Sequence, residues 1–344
     1  MPHFISIYYS TYDVKGIRFD SATPTQRETS KRPSLLALVA DSNSKIELSY
    51  EDGDGFTNTL KSVYRQLVSE EKITEEVWLT VVGYGPFEFR TDLKRVSKKA
   101  RAPAGGHDLD KIFGNELAEL SVRTNFQVVT DAQAVVTAGY WEMHAERYDK
   151  LGPIKAHGQT VACVIGGIGL GGAVAGPYGE PIGSAHHSEF GHTRIHMDGR
   201  DDTPITICGQ HQGCLQGVGC WAALEKRAQK FCNDKKIKTD EMEFLFANPD
   251  HEIWKMQAKY ISQACQNFMF ATPPERIILG GSMFELAPHL VDMVRDEVVT
   301  IGDEFLYFPA DQVDKFIVAR RLADEALIGG VHSGLRSAQT NHSV

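Results

Sequence analysis

The chain has 344 residues, with 36 Lys and Arg against 45 Asp and Glu, giving a formal net charge of −9 at pH 7; at ~150 residues per domain this length predicts two domains, each with its own core. A hydrophobic share of 42% and a charged share of 24% are those of an ordinary soluble protein, which excludes disordered and fibrous classes. The acidic balance with no basic stripe excludes a nucleic-acid partner and favours a neutral or polar small-molecule substrate, and neither a membrane span (~20 apolar residues) nor a secretory signal is expected.

Short β-rich runs alternate with helical patterns, so the chain reads as an α/β protein. Strands are predicted over residues 4–9, 16–19 and 35–40, with a polar loop over 21–34. Phe56, Leu60, Val63, Tyr64 and Leu67 recur at three- and four-residue spacing and predict a helix. A strand over 77–82 ends in Gly83-Tyr84-Gly85-Pro86, which cannot continue it. The stretch 90–106 is basic, then rich in Pro and Gly, and reads as a surface loop. The second half opens with a strand over 126–129, a helix from Asp131 to about Glu146, and a strand over 160–165. Further helices are expected at 218–231, 253–270 and 283–298, a strand at 276–279 and a closing helix at 320–328. The polar tail after Ser337 is expected to fray.

Three ligand-type residues stand at three-residue spacing in Cys208-Gly-Gln-His211-Gln-Gly-Cys214. Glycines at 209 and 213 let the backbone wrap so that Cys208, His211 and Cys214 converge on one ion. A closed tetrahedral Zn²⁺ site needs a fourth ligand. His192 is the best candidate, with His186, His187, His196 and Cys220 as rivals. An iron–sulfur centre would use four thiolates, so zinc is preferred; the bland alternative is buried thiols beside surface histidines. Six cysteines in so long a chain do not form a disulfide scaffold, and a cytoplasmic location is expected.

Gly166-Gly167-Ile168-Gly169-Leu170-Gly171-Gly172 follows a strand, where backbone N–H groups commonly cradle phosphate. It contains GxGxxG, but that fingerprint must open a helix, whereas Gly176-Pro177 soon follows here. A phosphate-binding hairpin is therefore expected, against the alternative of a merely tight turn. Gly280-Gly281-Ser282 is a second turn suited to close approach of a ligand. Asp131 lies where a strand meets a helix, a place from which a carboxylate can act as a general base. On local sequence alone the commoner role there is a helix N-cap.

The run Ser188-Glu189-Phe190-Gly191-His192, the Asp201-Asp202 pair, the Cys208–Cys214 segment with Leu215-Gln216-Gly217, and Leu224-Glu225-Lys226-Arg227 together resemble the fructokinase branch of the ROK sugar kinases. That branch carries H-P-E-x-G-H, then C-x-x-H-x-x-C-L-E-G, often followed by E-K-R. Gly83-Tyr84-Gly85-Pro86-Phe87-Glu88 resembles its S-F-G-P-I-D, and Thr130-Asp131-Ala132-Gln133-Ala134 its T-D-V-N-A. Gly167-Ile168-Gly169-Leu170-Gly171 is similar to its second phosphate motif, and Pro274-Glu275-Arg276-Ile277-Ile278-Leu279-Gly280-Gly281 to its adenosine-side segment.

The resemblance implies an actin-like, ribonuclease-H-like α/β fold of ATPase type, with two lobes around an interlobe cleft. The smaller lobe would span residues 1–125 and the larger 126–319, a closing helix near 320–336 being able to return to the first. It implies phosphorylation of a hexose by ATP with Mg²⁺, with Asp131 as base. Thr130, Glu189, His192, Gln216 and Gly85 would meet the sugar, and Gly167, Gly169, Gly171, Gly280 and Gly281 the nucleotide. His192, Cys208, His211 and Cys214 would hold a structural zinc, and a homodimer is implied. The departures cluster at the first phosphate motif, D-x-G-G-T-K, where this chain has Tyr8-Tyr9-Ser10-Thr11-Tyr12-Asp13. A tyrosine replaces the aspartate and neither glycine is kept. Gly166, Gln216, Gln133 and Cys220-Trp221 replace the family's threonine, glutamate, asparagine and S-G. The second reading is thus a relative that binds a sugar without phosphoryl transfer from ATP, or performs another reaction on it. A DNA-binding repressor is disfavoured, since the first strand begins at residue 4.

Overall fold

The computed structural model describes residues 2–20, 45–51, 55–69, 73, 75–85, 94–98, 103–151, 160–177, 179–183, 188–201, 207–209 and 212–341. The strand expected over 35–40, the loop over 21–34, residues 90–93 and 99–102 of the 90–106 loop, and His186, His187, Asp202 and His211 lie outside them. The described residues group into two compact units. The first lies within 1–158, 175–187 and 323–344, the second within 159–174 and 188–322. The sequence reading set the division after residue 125, but the strand and helix that follow pack within the first unit.

In the first unit, β1 (His3–Tyr9), β2 (Asp13–Asp20), β3 (Lys45–Ser49), β4 (Val77–Gly83) and β5 (Thr124–Thr130) form one sheet in the order β3-β2-β1-β4-β5. Every residue of β1 and β4 is buried, as expected for strands covered on both faces. The pairs β1–β2 and β2–β3 are antiparallel, β1–β4 and β4–β5 parallel. Helix α1 (Phe56–Ser69) turns Phe56, Leu60, Val63, Tyr64 and Leu67 inward. It lies so close to β2 that a Cβ on Gly16 would stand 2.6 Å from Val63 and 2.7 Å from Leu67. Helix α2 (Leu109–Ala118) is capped by Asp108, whose carboxylate accepts the Lys111 N–H at 3.2 Å. Helix α3 (Asp131–Leu151) follows β5 without a gap.

The second unit carries β6 (Val161–Gly166), β7 (Leu170–Ala175), β8 (Arg276–Gly280) and β9 (Ile317–Arg320), ordered β7-β6-β8-β9 with β6–β8 and β8–β9 parallel. Around it stand α4 (Leu215–Gly219), α5 (Trp221–Lys235), α6 (Glu241–Ala247), α7 (Glu252–Ala271), α8 (Ser282–Leu286), α9 (His289–Gly302) and α10 (Val313–Phe316). Its core centres on α7, where Trp254, Tyr260, Ile261 and Cys265 are fully buried. The chain ends in α11 (Leu322–Asn341), which belongs to the first unit. Gly329 and Gly330 let it lie against α3 and β1: added Cβ atoms would meet the Ala134 carbonyl at 1.9 Å and Ser6 Oγ at 2.0 Å.

Two expected helices are each split. The 218–231 helix breaks at Cys220, which is extended (φ −81°, ψ 166°) and caps α5. The 283–298 helix breaks before Pro288, whose ring starts α9 but cannot continue α8. The closing helix runs well past 328, because Val331, Leu335 and Ala338 keep burying a face. No helix among the described residues is long and apolar enough to cross a membrane.

Candidate active site

Three parallel strands of the first unit end in register: Tyr9 pairs with Gly83, and Gly83 with Thr130. The next residues, Ser10, Tyr84 and Asp131, therefore line up along the carboxyl ends of the sheet, where open α/β sheets bind ligands. The sequence left Asp131 between two roles, base and N-cap. Thr130 takes the cap, its hydroxyl accepting the Gln133 N–H at 3.1 Å while the Gln133 side chain accepts the Thr130 N–H at 2.9 Å. This reciprocal pair is a capping box. Among the described residues, it leaves the Asp131 carboxylate holding only N–H groups of its own turn, such as that of Ala132 at 2.7 Å. Asp131 keeps part of its surface, yet burial is the largest influence on its carboxyl and pushes the pKa up to about 6 against the backbone donors. A carboxylate with that pKa is ionised at pH 7 and still basic enough to take a hydroxyl proton. Thr130 is 3% exposed, so its main service is to the helix start.

The end of β1 is filled by an aromatic side chain. Tyr9 is fully buried, stacks edge-on against Phe56 (5.3 Å) and Tyr84 (5.4 Å), and passes so close to Gly83 that a Cβ there would lie 1.9 Å from its ring. Burial, then Tyr84 and Asp131, hold the Tyr9 phenol well above its ordinary pKa. The turn at residues 10–13 closes on itself. Ser10 N donates to the Asp13 carbonyl (2.9 Å), Tyr12 N and Asp13 N both donate to Ser10 Oγ (3.0 and 3.1 Å), and the Ser10 hydroxyl donates to Asp13 Oδ1 (2.5 Å). Lys15 Nζ lies 3.3 Å from Asp13 Oδ2 and 2.9 Å from Glu47. Both Asp13 oxygens are thus engaged, and Tyr8 offers no carboxylate, so the residues at this strand end do not fit a magnesium ion. Gly85 lies two residues past the end of β4 and is half-buried.

In the second unit two glycine turns meet. Gly167 N donates to the Gly169 carbonyl (2.9 Å) and closes the reversal from β6 to β7. Gly281 has φ +99°, and a Cβ on it would lie 2.4 Å from the Gly166 carbonyl, so position 281 requires glycine. Ser282 Oγ borders Gly167, and the Gly167 carbonyl accepts the Trp221 N–H at 2.9 Å, which ties the turn to the start of α5. Gly166, Gly167 and Gly281 are therefore brought together. Gly280 is buried in β8 against Ile165, and Gly171 lies within β7, where an added Cβ would meet no described atom within 4 Å.

The third feature is a set of metal-ligand side chains. Residues 193–195 pair with 213–215: Leu215 N donates to the Thr193 carbonyl (2.9 Å) and Ile195 N to that of Gly213 (3.2 Å). This brings His192 to the cysteine loop. The ligand atoms of His192, Cys208 and Cys214 all lie within 4.8 Å of one another. A tetrahedral zinc with Zn–S of ~2.3 Å and Zn–N of ~2.0 Å spaces its ligands by ~3.5 Å, so this donor set fits Zn²⁺. Gly209 and Gly213 both have positive φ (66° and 68°), the wrapping that their positions suggested. Cys214 also caps α4, its sulfur accepting the Gly217 N–H at 3.2 Å. Glu189 Oε2 stands 3.4 Å from His192 Nε2, placed to fix the imidazole's orientation. Gly191 packs under this segment: a Cβ there would lie 1.9 Å from the Leu170 carbonyl and 3.2 Å from Gln216 Oε1. Glu189, His192 and Gln216 are thus neighbours, and Gln216 also borders Gly169.

Behind this loop two residues of the motif segments, Asp201 and Arg227, form a buried ion pair that the sequence reading did not assign. Arg227 Nε donates to Asp201 Oδ2 at 2.7 Å, the side chains being 2% and 1% exposed. Its other nitrogens donate to the Val218 carbonyl (2.6 Å) and Gln257 (3.2 Å), and Tyr260 donates to Asp201 (2.9 Å). The network anchors the end of α4.

A profile of the ROK family matches residues 115–332, well over half of the chain. A fructokinase from Lactococcus lactis subsp. cremoris is 25% identical over 314 residues, spanning 91% of this chain and 91% of that one. A fructokinase from Zymomonas mobilis is 31% identical over 169 residues, 48% of this chain and 51% of the other. Among solved structures, a ROK hexokinase from Thermus thermophilus superposes with a TM-score of 0.66 at 17% identity, covering 98% and 99% of the two chains. A ROK glucokinase from Streptomyces griseus, in complex with glucose and AMPPNP, gives 0.62 at 16% identity over 97% and 99%. These likenesses carry the actin-like ATPase fold. With capping-box, glycine turns and cysteine loop all falling inside the matched span, the chain belongs to the ROK family.

Proposed function

We propose that the protein transfers the terminal phosphoryl group of ATP to a hexose hydroxyl, with Asp131 as general base. The observation that carries this is Asp131 itself: in line with the strand ends, released from helix capping by Thr130 and Gln133, and with its pKa pushed up to about 6. The sugar O–H proton passes to the Asp131 carboxylate as the oxygen bonds to phosphorus and ADP leaves with the electrons of the broken P–O bond. Such a base contributes ~10²–10⁴-fold, positioning and charge neutralisation supplying most of the remainder. Glu189, His192 and Gln216 would hold sugar hydroxyls, with Gly85 beside the sugar, while the turns at Gly167, Gly169 and Gly281 take the nucleotide side. His192, Cys208 and Cys214 would hold a zinc ion, with His211, outside the described residues, as fourth ligand; the metal would fix the loop that carries His192 and Gln216. All six cysteines are free thiols, which suits a cytoplasmic enzyme.

A panel of hexoses assayed with Mg²⁺–ATP for ADP release tests this reading. Turnover that Asp131→Asn lowers by ~10²-fold or more while sugar affinity holds supports it. The second reading, sugar binding without phosphoryl transfer from ATP, is favoured by the self-closed 10–13 turn and by Tyr8. Binding of a hexose with no turnover on any sugar of the panel would establish it instead.

A further inference from the structure

The turn at residues 10–13 carries a consequence for the ligand that meets the end of β1, and it rests on reading the strand ends beside Asp131 as a phosphoryl-transfer site. A phosphate group is held at a strand end by backbone N–H groups pointing at it and by positive charge. Three of the four N–H groups of this turn, those of Ser10, Tyr12 and Asp13, already donate inside it. The turn's own acid is Asp13, and the one cation among the described residues that touches it, Lys15, is shared with Glu47. One positive against two negative groups leaves a local charge of −1. Asp13 is no metal ligand in this arrangement either, since Ser10 Oγ holds one oxygen and Lys15 the other. Tyr9 fills the adjoining space beside Gly83, and Asp131 adds a second carboxylate in the same row.

We propose that the 10–13 turn is a phosphate-repelling element, with Asp13 the residue that weakens binding of a nucleotide's polyphosphate tail at the end of β1. Ser10 is the second determinant, because its side chain ties up two N–H groups that a glycine there would release.

The test is calorimetric titration of the full chain with Mg²⁺–ATP and, separately, with inorganic tripolyphosphate. The proteins compared are the wild type, Asp13→Asn, Ser10→Gly and the control Glu119→Gln. Asparagine keeps the size of Asp13 and the acceptor for the Ser10 hydroxyl while removing the charge, so the turn is retained. The expected result is about tenfold tighter binding of both probes to Asp13→Asn, a gain of a few-fold for Ser10→Gly, and less than about twofold change for Glu119→Gln, which removes the same charge at the end of α2. Unchanged or weaker binding to Asp13→Asn, or an equal gain from Glu119→Gln, overturns the proposal. Thermal unfolding of each variant separates a lost fold from an unchanged affinity; should Asp13→Asn fail to fold, Ser10→Gly decides alone. The readout is affinity and not turnover. A gain in binding with no effect of Asp131→Asn on turnover would leave this inference standing while the base assignment fell.

Discussion

Replacing Asp131 by asparagine should make the protein more stable and less active, and the stability gain should depend on pH in a defined direction. Burial raises the folded-state pKa from the ordinary 3.8 to about 6. Between those values the folded state binds more protons than the unfolded chain, so stability falls as pH rises through the window. Below about pH 4 both states carry a protonated carboxyl and the penalty is absent; above about pH 6 it is complete. At 1.36 kcal/mol per pH unit the span corresponds to about 3 kcal/mol, and solvent at the carboxyl's exposed edge trims this to about 2 kcal/mol. Asparagine cannot ionise, and its amide oxygen can still accept the Ala132 N–H. Urea unfolding of both proteins at about pH 4 and about pH 7.5 should therefore show similar stabilities at the lower pH. At the higher pH the variant should lead by about 2 kcal/mol. Over the same range kcat/KM of the wild type should rise with pH and level off above about pH 6, since the base must be ionised, while the variant loses ~10²–10⁴-fold. Two parallel stability profiles with a flat pH–rate profile would show that the carboxyl is neither desolvated nor the proton acceptor.

Four further outcomes are expected. Metal analysis of the purified protein should give about one zinc per chain, and Cys214→Ser should lose it along with several kcal/mol of local stability; metal-free protein with undiminished thermal stability would refute the site. Gly191→Ala should cost about 1–3 kcal/mol and weaken sugar binding more than nucleotide binding, because its methyl group would be driven against the Leu170 carbonyl; denaturant unfolding and calorimetry check both parts. Arg227→Met should cost about 3–5 kcal/mol by stranding the buried Asp201 carboxylate, and the double change Arg227→Met with Asp201→Asn should recover part of it in a double-mutant cycle. Asp13→Asn should bind Mg²⁺–ATP more tightly, as set out above, with titration of both proteins as the check.

Much of the first sheet was legible because its strands are continuous apolar runs or end at glycine, and α1 because its buried residues recur at helical spacing. What escaped was short or depended on distant partners. Strand β3 has only Ile46 and Leu48 to mark it, and β9 spans four residues whose pairing to β8 is settled by the register of the sheet. The breaks at Cys220 and Pro288 lay inside convincing helical periodicity, which registers hydrophobic spacing and not backbone angle. At the candidate site, the cysteine loop was readable since its ligands are local in sequence, with His192 joined to it by the short pairing of 193–195 with 213–215. The role of Asp131 was not. The deciding signal, Thr130 with Gln133 three residues on, is a capping-box pattern present in the sequence, yet it moves the cap by one residue and changes the reading of the carboxylate beside it. Asp201 and Arg227 both stood in segments that carried the resemblance, but they are 26 residues apart and nothing local paired them.

The replaced residues at the end of β1 form a packed solution and not a damaged one. A site that had merely lost its glycines would leave voids, strained turns or polar groups without partners, each costing about 1–3 kcal/mol. Here the ring of Tyr9 has its matching hollow at Gly83, since any side chain on that neighbouring strand would collide with it, and its faces and edges meet Phe56 and Tyr84. The Tyr50 hydroxyl donates to the Ser10 carbonyl at 2.5 Å, so a residue of the β3 region buttresses the same turn whose amides Ser10 and Asp13 satisfy from within. Neutralising Asp13 alone therefore changes charge without opening space, whereas Tyr9→Ala opens space without changing charge. If phosphate exclusion were chiefly steric, Tyr9→Ala would restore polyphosphate affinity and Asp13→Asn would not. Asp13 carries a charge at the turn itself while Tyr9 is sealed beneath it with no exposed surface, so the electrostatic change is the one expected to act.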